Sequence, residues 1–193
     1  MRVRPHVQGV IQPIGRLLAE LGVSPTILTI LGLATAVVGA VMIGVGMVAS
    51  GATVALLGAA VDGLDGSVAR ASGRETARGA FLDATSDRVG EIAVFAGLAV
   101  SQAGSPRVLL LILLASGGSL LIPYLRAKAE AEGLNGKGGL MGRAERVILF
   151  SLGLITGLIE PMLWIMVVTT WLTVVQRFWS TYRAMDEAPV DVP

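Results

Sequence analysis

Long apolar runs dominate the chain and leave few positions for charged side chains. Residues 25–61 contain no charged residue, and this stretch is long enough for two membrane-crossing helices of about 20 residues each. Ala49, Ser50 and Gly51 are small residues near its middle, so we expect the turn between the two helices there. Two spans are therefore predicted before the first acidic residues of the following segment.

Four further apolar stretches follow, at residues 92–106, 108–125, 147–159 and 161–176. With their flanking residues they raise the number of candidate spans to six. The stretch at 147–159, the fifth candidate span, is the weakest, because its charge-free core is short and a full span must include Arg143 and Arg146. Otherwise, the fifth and sixth segments form something other than two full crossings. The pattern predicts an all-α, polytopic membrane protein with six transmembrane helices.

The first 24 residues show an amphipathic pattern instead. Apolar residues recur at helical intervals, at Val7, Val10, Ile11, Ile14, Leu17, Leu18 and Leu21. This pattern suits an interfacial helix that lies along the membrane surface, and a helix packed against its own protein explains it equally well. The predicted organisation is a juxtamembrane amphipathic helix at 1–24, a six-helix domain at 25–185 and a frayed polar tail at 186–193.

Composition and charge agree with an integral membrane protein. The 193 residues are 53% hydrophobic and 15% charged, with a mean hydropathy of +0.74, which is far too apolar for an ordinary soluble domain. The net charge is only +1, but the basic residues cluster on one side of the predicted spans, and only Arg107 falls on the other side. We therefore expect a multi-pass protein of the cytoplasmic membrane with both termini in the cytoplasm, and no nucleic-acid partner.

Gly32, Ala36, Ala40 and Gly44 form a stripe of small residues at four-residue intervals on the first predicted span. Small residues at this spacing let helix backbones approach closely in membranes. The stripe therefore predicts a packing contact, either with another span or with another subunit.

Four aspartates interrupt two otherwise apolar segments, and a carboxylate in a bilayer is costly unless a cation neutralises it. Asp65 follows Asp62 by three positions and Asp87 follows Asp83 by four, so the members of each pair lie on one face of a helix. All-oxygen ligands favour magnesium, calcium or manganese over zinc, and the chain has no cysteine. The spacing predicts a metal site on the cytoplasmic side of the membrane.

The aspartates belong to a longer pattern that also contains Gly66, Ala69, Arg70 and Gly79. This pattern resembles the signature of the CDP-alcohol phosphotransferases, in which an alcohol attacks the β-phosphorus of a CDP-linked lipid and CMP leaves. The resemblance implies a homodimeric membrane enzyme with two divalent ions, Mg²⁺ with Mn²⁺ as the alternative. It assigns the metal to Asp62, Asp65, Asp83 and Asp87, and it makes Asp87 also the base that takes the hydroxyl proton.

The same resemblance implies a binding site for the CDP-lipid beside the metal ions. The residues it assigns are Gly66, Ala69, Arg70, Thr76 and Gly79, together with Thr26, Ile27, Leu28 and Thr29 at the start of the first span. Gly66 and Ala69 would leave room for the nucleotide, and Arg70 would present its planar guanidinium to the phosphates. Thr76 would supply a hydroxyl contact.

The second half of the chain resembles the branch of this family that uses inositol phosphate as the acceptor, with CDP-diacylglycerol or, in archaea, a CDP-ether lipid as the donor. Residues 124–149 and the VVQRF segment carry the likeness. The branch holds the acceptor's phosphate with basic residues, which correspond to Arg126, Arg146 and Arg177. Arg177 is also expected to face the protein interior, because the preceding apolar stretch is short; alternatively, Arg177 reaches the surface and Arg146 pairs with a glutamate.

Two other functions compete with this prediction. Within the family, a phosphatidylglycerophosphate synthase would use glycerol 3-phosphate and the same cations. From another class, a small cation transporter would use the four aspartates as an ion pathway, but it would have no use for Arg70 beside them. The sequence therefore favours a transferase of membrane phospholipid biosynthesis, whose partners are a CDP-linked lipid and a phosphorylated polyol.

Overall fold

The computed structural model describes residues 4–136 and 138–186, and within these ranges every regular element is a helix. The elements are α1 (Arg4–Glu20), α2 (Pro25–Gly44), α3 (Val48–Asp62), α4 (Asp65–Ser72), α5 (Ala77–Ser101), α6 (Pro106–Ala131), α7 (Arg143–Ile155) and α8 (Ile159–Asp186). The all-α prediction is confirmed. The chain forms two compact units, residues 1–101 and 102–193. Of the frayed tail predicted at 186–193, Asp186 is the last residue of α8, and residues 187–193 lie outside the described range.

Four helical segments in the described ranges are long and apolar enough to cross a membrane. They are Pro25–Gly44, Val48–Ser72, Pro106–Ala131 and Ile159–Met185. Helix α5 has 25 residues, but its first half carries two of the aspartates and further charges. Helix α7 has only 13 residues, short of the roughly 20 that a bilayer requires. Length and composition therefore support four of the six predicted spans.

Glycine lets α2, α3 and α5 pack backbone against backbone in the first unit. Gly39 and Gly51 face each other so closely that a Cβ added to either would lie 2.6 Å from the carbonyl oxygen of the other. A Cβ on Gly97 of α5 would collide with the carbonyl oxygen of Ala40. Because side chains cannot be accommodated at these crossings, the three helices approach as small-residue interfaces in membranes do.

The predicted stripe on the first span lies in this packing. Gly32 of α2 lies against Asp62, with 2.7 Å between an added Cβ and the Cβ of the aspartate. One turn later, Ala36 lies against Gly90 of α5. The stripe therefore contacts other helices of the same chain, and its first glycine sets how closely Asp62 approaches α2.

The turn between the first two spans was predicted at the wrong position. Helix α2 ends at Gly44 and α3 begins at Val48, so residues 49–51 are helical. Gly46 makes the turn with φ of +93°, a left-handed conformation that glycine adopts without steric cost. Gly51 serves the contact with α2 instead, which means that the small residues at 49–51 indicated packing and not a turn.

Helix α1 packs against α4 through Gly15, where an added Cβ would collide with the side chain of Ser67. On other sides of the segment, Ile14, Leu17 and Leu21 are exposed. The segment thus contacts its own protein at Gly15, while three residues of the apolar pattern remain exposed. Val7, Val10 and Ile11 belong to the predicted pattern, but their side chains lie outside the described residues.

In the second unit, α8 packs against both α6 and α7, and it also holds the loop that joins them, residues 132–142. The hydroxyl of Thr173 accepts a hydrogen bond from the N–H of Met141 at 3.1 Å. The side-chain oxygen of Gln176 accepts one from the N–H of Leu140 at 3.0 Å. Arg177 of α8 also donates to the carbonyl oxygen of Gly138. Side chains of α8 therefore position three residues of the loop, Gly138, Leu140 and Met141.

Candidate active site

Three of the predicted metal ligands come together in the first unit. Asp62 ends α3, while Asp83 and Asp87 lie one turn apart on α5. One carboxylate oxygen from each lies within 4.8 Å of the others. Asp62 is 5% exposed, and Oδ1 of Asp87 is also buried. The predicted grouping of these three side chains is therefore present in the structure.

This donor set fits a divalent cation. The three ligands offer only oxygen atoms, which Mg²⁺, Mn²⁺ and Ca²⁺ prefer. Carboxylates this close repel one another when they are shielded from water, so a bound cation would stabilise their ionised forms. Asp62, Asp83 and Asp87 would hold such an ion, which would supply positive charge to an anionic ligand such as a phosphate ester.

The fourth aspartate has a different environment. Asp65 begins α4 and is 7% exposed. Its Oδ2 atom accepts a hydrogen bond of 2.6 Å from the hydroxyl of Thr29 on α2, and its Oδ1 atom accepts the N–H of Gly66. The group of three carboxylates does not include Asp65. The structure therefore brings three of the four predicted ligands together, whereas the fourth is hydrogen-bonded to Thr29 of α2.

An ion pair that the sequence analysis did not assign to the site borders Asp87. Arg88 pairs with Glu91 one turn later on α5, and its Nη2 atom lies 3.7 Å from Oδ2 of Asp87. The guanidinium thus offsets part of the negative charge of the carboxylate group. Because Arg88 directly follows Asp87, helical periodicity gives no signal that the two side chains approach each other.

The residues predicted to bind the CDP-lipid have mixed environments. At the start of α2, Leu28 and Thr29 are buried, whereas Thr26 and Ile27 are exposed. Two of these four residues therefore face the interior and two face outward. Of the buried pair, Thr29 is hydrogen-bonded to Asp65, one of the predicted metal ligands.

On α4, the guanidinium of Arg70 lies over Gly66, since a Cβ added to the glycine would lie 3.3 Å from Nη1 of Arg70. The space beside Gly66 is thus occupied by the guanidinium of Arg70 in this structure. The sequence analysis predicted that the nucleotide would use this space. Ala69, also on α4, is half-buried, and Arg70 itself is exposed. An exposed arginine side chain can reorient when an anion binds nearby.

Thr76 caps the N-terminus of α5. Its hydroxyl oxygen accepts a 3.0 Å hydrogen bond from the N–H of Gly79, and its carbonyl oxygen accepts the N–H of Ala80. A threonine before the first turn is a common helix start, a signal that the sequence analysis did not use. A hydroxyl that accepts one bond can still donate its hydrogen, so the cap is compatible with the predicted nucleotide contact.

The three arginines predicted for the acceptor all lie in the second unit, but their environments differ. Arg146, in the first turn of α7, is 4% exposed. Arg126 is half-exposed and pairs with Glu130 at 2.8 Å. Arg177 donates to the carbonyl oxygen of Ile122 at 2.9 Å, one turn before Arg126 on α6. Its Nε atom donates to the carbonyl oxygen of Gly138 in the α6–α7 loop at 3.0 Å, so the side chain of Arg177 turns toward α6 and this loop.

Comparison with known proteins gives a consistent result. The family described as CDP-alcohol phosphatidyltransferase matches residues 22–179. The phosphatidylinositol phosphate synthase of Mycolicibacterium smegmatis is 38% identical over 172 residues, which are 85% of this chain and 77% of that protein. The archaetidylinositol phosphate synthase of Pyrococcus horikoshii is 28% identical over 186 residues, which are 96% of this chain and 97% of that protein.

Crystal structures of the Mycobacterium tuberculosis phosphatidylinositol phosphate synthase have the same fold. The structure with CDP-DAG bound gives a TM-score of 0.80 at 33% identity and covers 90% of this chain and 94% of that one. The complex with manganese and citrate gives a TM-score of 0.81 at 34% identity, covering 89% and 88%. These findings do not favour a cation transporter. The chain is a transferase and belongs to the CDP-alcohol phosphatidyltransferase family.

Proposed function

We propose that this enzyme transfers the phosphatidyl group of CDP-diacylglycerol to a hydroxyl group of inositol phosphate and releases CMP. The observation that carries the proposal is the group formed by Asp62, Asp83 and Asp87, which lies within the residues that match the family. The choice of acceptor is supported by the 38% identity to an enzyme named for phosphatidylinositol phosphate synthesis. We place the product in membrane phospholipid biosynthesis.

Two Mg²⁺ ions are part of the proposal, with Asp62, Asp65, Asp83 and Asp87 as their protein ligands. Bound there, they would neutralise the diphosphate of the donor and stabilise the charge that develops during phosphoryl transfer. Mn²⁺ is the alternative ion, and the manganese complex of the M. tuberculosis enzyme supports a divalent cation in this fold.

Asp87 is proposed as the general base. Its carboxylate takes the proton of the acceptor hydroxyl as the hydroxyl oxygen forms a bond to the β-phosphorus. The bond from that phosphorus to the bridging oxygen breaks, and the electron pair leaves with CMP. Arg88, whose Nη2 atom is 3.7 Å from Oδ2 of Asp87, places a positive charge beside the proposed base.

The donor is proposed to bind along α4 and the start of α2. Arg70 lies on the same short helix as Asp65, so its guanidinium can form paired hydrogen bonds with the phosphates that the metal ions neutralise. The remaining residues of this proposed site are Gly66, Ala69, Thr76 and Gly79, with Thr26, Ile27, Leu28 and Thr29.

The phosphate of the acceptor is proposed to bind Arg126, Arg146 and Arg177. A buried arginine in a membrane protein is costly and marks a functional site by default, and Arg146 is such a residue. The inward direction of Arg177, toward α6 and the loop, agrees with this role. Choline, ethanolamine or an unphosphorylated polyol would give these cations no anion to bind.

We further propose that six segments cross the cytoplasmic membrane, with the active site and both termini on the cytoplasmic side, and that the enzyme is a homodimer. Four of these are the segments that satisfy length and composition. The other two would be α5 and α7 with their flanking residues. The outward apolar side chains Ile14, Leu17 and Leu21 support an interfacial position for the α1 segment.

The test is CMP release by the purified enzyme with CDP-diacylglycerol and Mg²⁺. We expect rapid release with inositol 1-phosphate and far slower release with glycerol 3-phosphate or inositol. Faster release with glycerol 3-phosphate would instead assign phosphatidylglycerophosphate synthesis, and no release with any alcohol would contradict the proposal. CDP-archaeol in place of CDP-diacylglycerol distinguishes an ether-lipid donor from a diacyl one.

A further inference from the structure

A hydrogen bond between two buried side chains connects α2 to a proposed metal ligand. The hydroxyl of Thr29 donates to Oδ2 of Asp65 at 2.6 Å, although the two residues are 36 positions apart. Thr29 is 3% exposed and Asp65 is 7% exposed. A hydrogen bond to a carboxylate that is shielded from water is stronger than one at the surface. This bond therefore holds the first residue of α4 against α2.

Both oxygen atoms of the Asp65 carboxylate have a hydrogen-bond donor, because Oδ1 accepts the N–H of Gly66. Two donors on different atoms define the plane of the carboxylate. Each carboxylate oxygen can accept two bonds, so the bond from Thr29 does not exclude a cation on the same oxygen. Outer hydrogen bonds of this kind orient the ligands of metal ions in other proteins.

The same face of α2 also contacts the other ligand that precedes α5. Gly32, three positions after Thr29, lies against Asp62, with 2.7 Å between an added Cβ and the Cβ of the aspartate. Residues three positions apart lie on one side of a helix. One side of α2 thus contacts Asp62 by close packing and Asp65 by a hydrogen bond.

We propose that Thr29 is a positioning residue for the divalent cation and acts through Asp65. The hydroxyl would hold the Asp65 carboxylate in the orientation that the cation requires, without touching the cation. This inference rests on the metal site in the proposed function, and it gives Thr29 a task different from the nucleotide contact that the family resemblance implies.

The experiment measures Mn²⁺ binding to the detergent-solubilised enzyme without lipid substrate, from the electron paramagnetic resonance signal of the unbound ion. Thr29→Val and Thr29→Ala remove the hydroxyl, and Thr29→Ser keeps it. Loss of an outer hydrogen bond to a metal ligand weakens binding about 10–100-fold. We expect this loss for the valine and alanine variants, and near wild-type affinity for Thr29→Ser.

Thr35→Val is the matched control, because it makes the same substitution two turns later on α2. The hydroxyl of Thr35 donates at 2.7 Å to the carbonyl oxygen of Leu31 in its own helix, and its removal should leave the Mn²⁺ affinity unchanged. Thermal unfolding in EDTA checks that each variant is folded. Should Thr29→Val fail this check, the comparison of the alanine and serine variants decides the question.

Wild-type affinity in Thr29→Val and Thr29→Ala would overturn the inference. It would also be overturned if these variants raised the KM for CDP-diacylglycerol while the Mn²⁺ affinity stayed constant, since Thr29 would then be a substrate contact. In both cases the wild-type enzyme binds Mn²⁺ and the proposed function stands. A wild-type enzyme that binds no divalent cation would remove the metal site itself, and the inference would fail together with the proposed function.

Discussion

The carboxylate group of the first unit and the α6–α7 loop of the second are held in place by different forces. Asp62 and the α5 aspartates lie on helices that pack through glycine, where no space remains for a methyl group. The loop before Arg146 is held by single hydrogen bonds between α8 side chains and its backbone. The first region should therefore be sensitive to added volume, and the second to the loss of individual polar atoms.

The largest effect is expected from a change in the chemistry itself. Asp87→Asn keeps the size of the side chain but removes the proposed base and the charge of one proposed metal ligand, so CMP release should fall at least about 10²–10⁴-fold. Steady-state CMP release with inositol 1-phosphate measures this. Glu160→Gln, which only affects an exposed ion pair with Arg107, is the control and should retain activity. Wild-type CMP release by Asp87→Asn would refute the assignment of the base.

Added volume is tested by Gly97→Ala. The new Cβ would collide with the backbone of Ala40, so α5 must move away from α2, which should lower the free energy of unfolding by about 1–3 kcal/mol. Activity should fall as well, because α5 carries Asp83 and Asp87. The midpoint of thermal unfolding in detergent, together with CMP release, measures both effects.

Gly117→Ala is the matched control for this substitution. Gly117 lies within α6, and a Cβ added there meets no atom within 4 Å, so alanine should maintain or raise stability by the roughly 0.5–1 kcal/mol that separates the two residues in helices. Equal losses at both positions would show that the contact with Ala40 is not what makes Gly97 sensitive to added volume.

Helical periodicity is a local property, so sequence spacing predicted the pair of aspartates on α5 correctly. It also placed Asp62 and Asp65 on one helix, but these residues end α3 and begin α4. Asp83 and Asp87 had to share a face of α5, and Gly32 had to belong to a packing stripe. The contact between Thr29 and Asp65 joins two helices across 36 positions, and no local pattern contains it. The turn at Gly46 was missed for a different reason, since hydropathy marks an apolar run but not where its helix begins or ends. The short charge-free core at 147–159 did mark the α7 segment as the weakest span, and the helix has 13 residues.

Loss of a polar atom is tested by Thr173→Val. Valine has nearly the same shape, but the N–H of Met141 loses its acceptor, and an unsatisfied buried donor costs about 1–3 kcal/mol. Because the loop leads to Arg146, the KM for inositol phosphate should rise more than the KM for CDP-diacylglycerol. Thermal unfolding and the two KM values are the measurements.

Thr170→Val provides the control on the same helix. Thr170 is as fully buried as Thr173, but its hydroxyl donates only to carbonyl oxygens within α8. This variant should leave both KM values unchanged. If Thr170→Val raised the KM for inositol phosphate as much as Thr173→Val does, the bond to the loop would not be what positions the acceptor site.

The smallest effect is expected at Thr76, whose hydroxyl caps α5 in the first unit. Thr76→Ala removes the bond to the N–H of Gly79 and should cost about 1 kcal/mol of stability, as the loss of a helix cap does, whereas Thr76→Ser should restore it. If Thr76 is only a cap, the KM for CDP-diacylglycerol will stay constant in both variants. An increase in that KM for Thr76→Ala, absent in Thr76→Ser, would show that the same hydroxyl both starts α5 and contacts the nucleotide. The start of α5 would then depend on a single polar atom, as the loop does. The contrast between the two regions would hold at Gly32 and Gly97 but not at the first turn of α5.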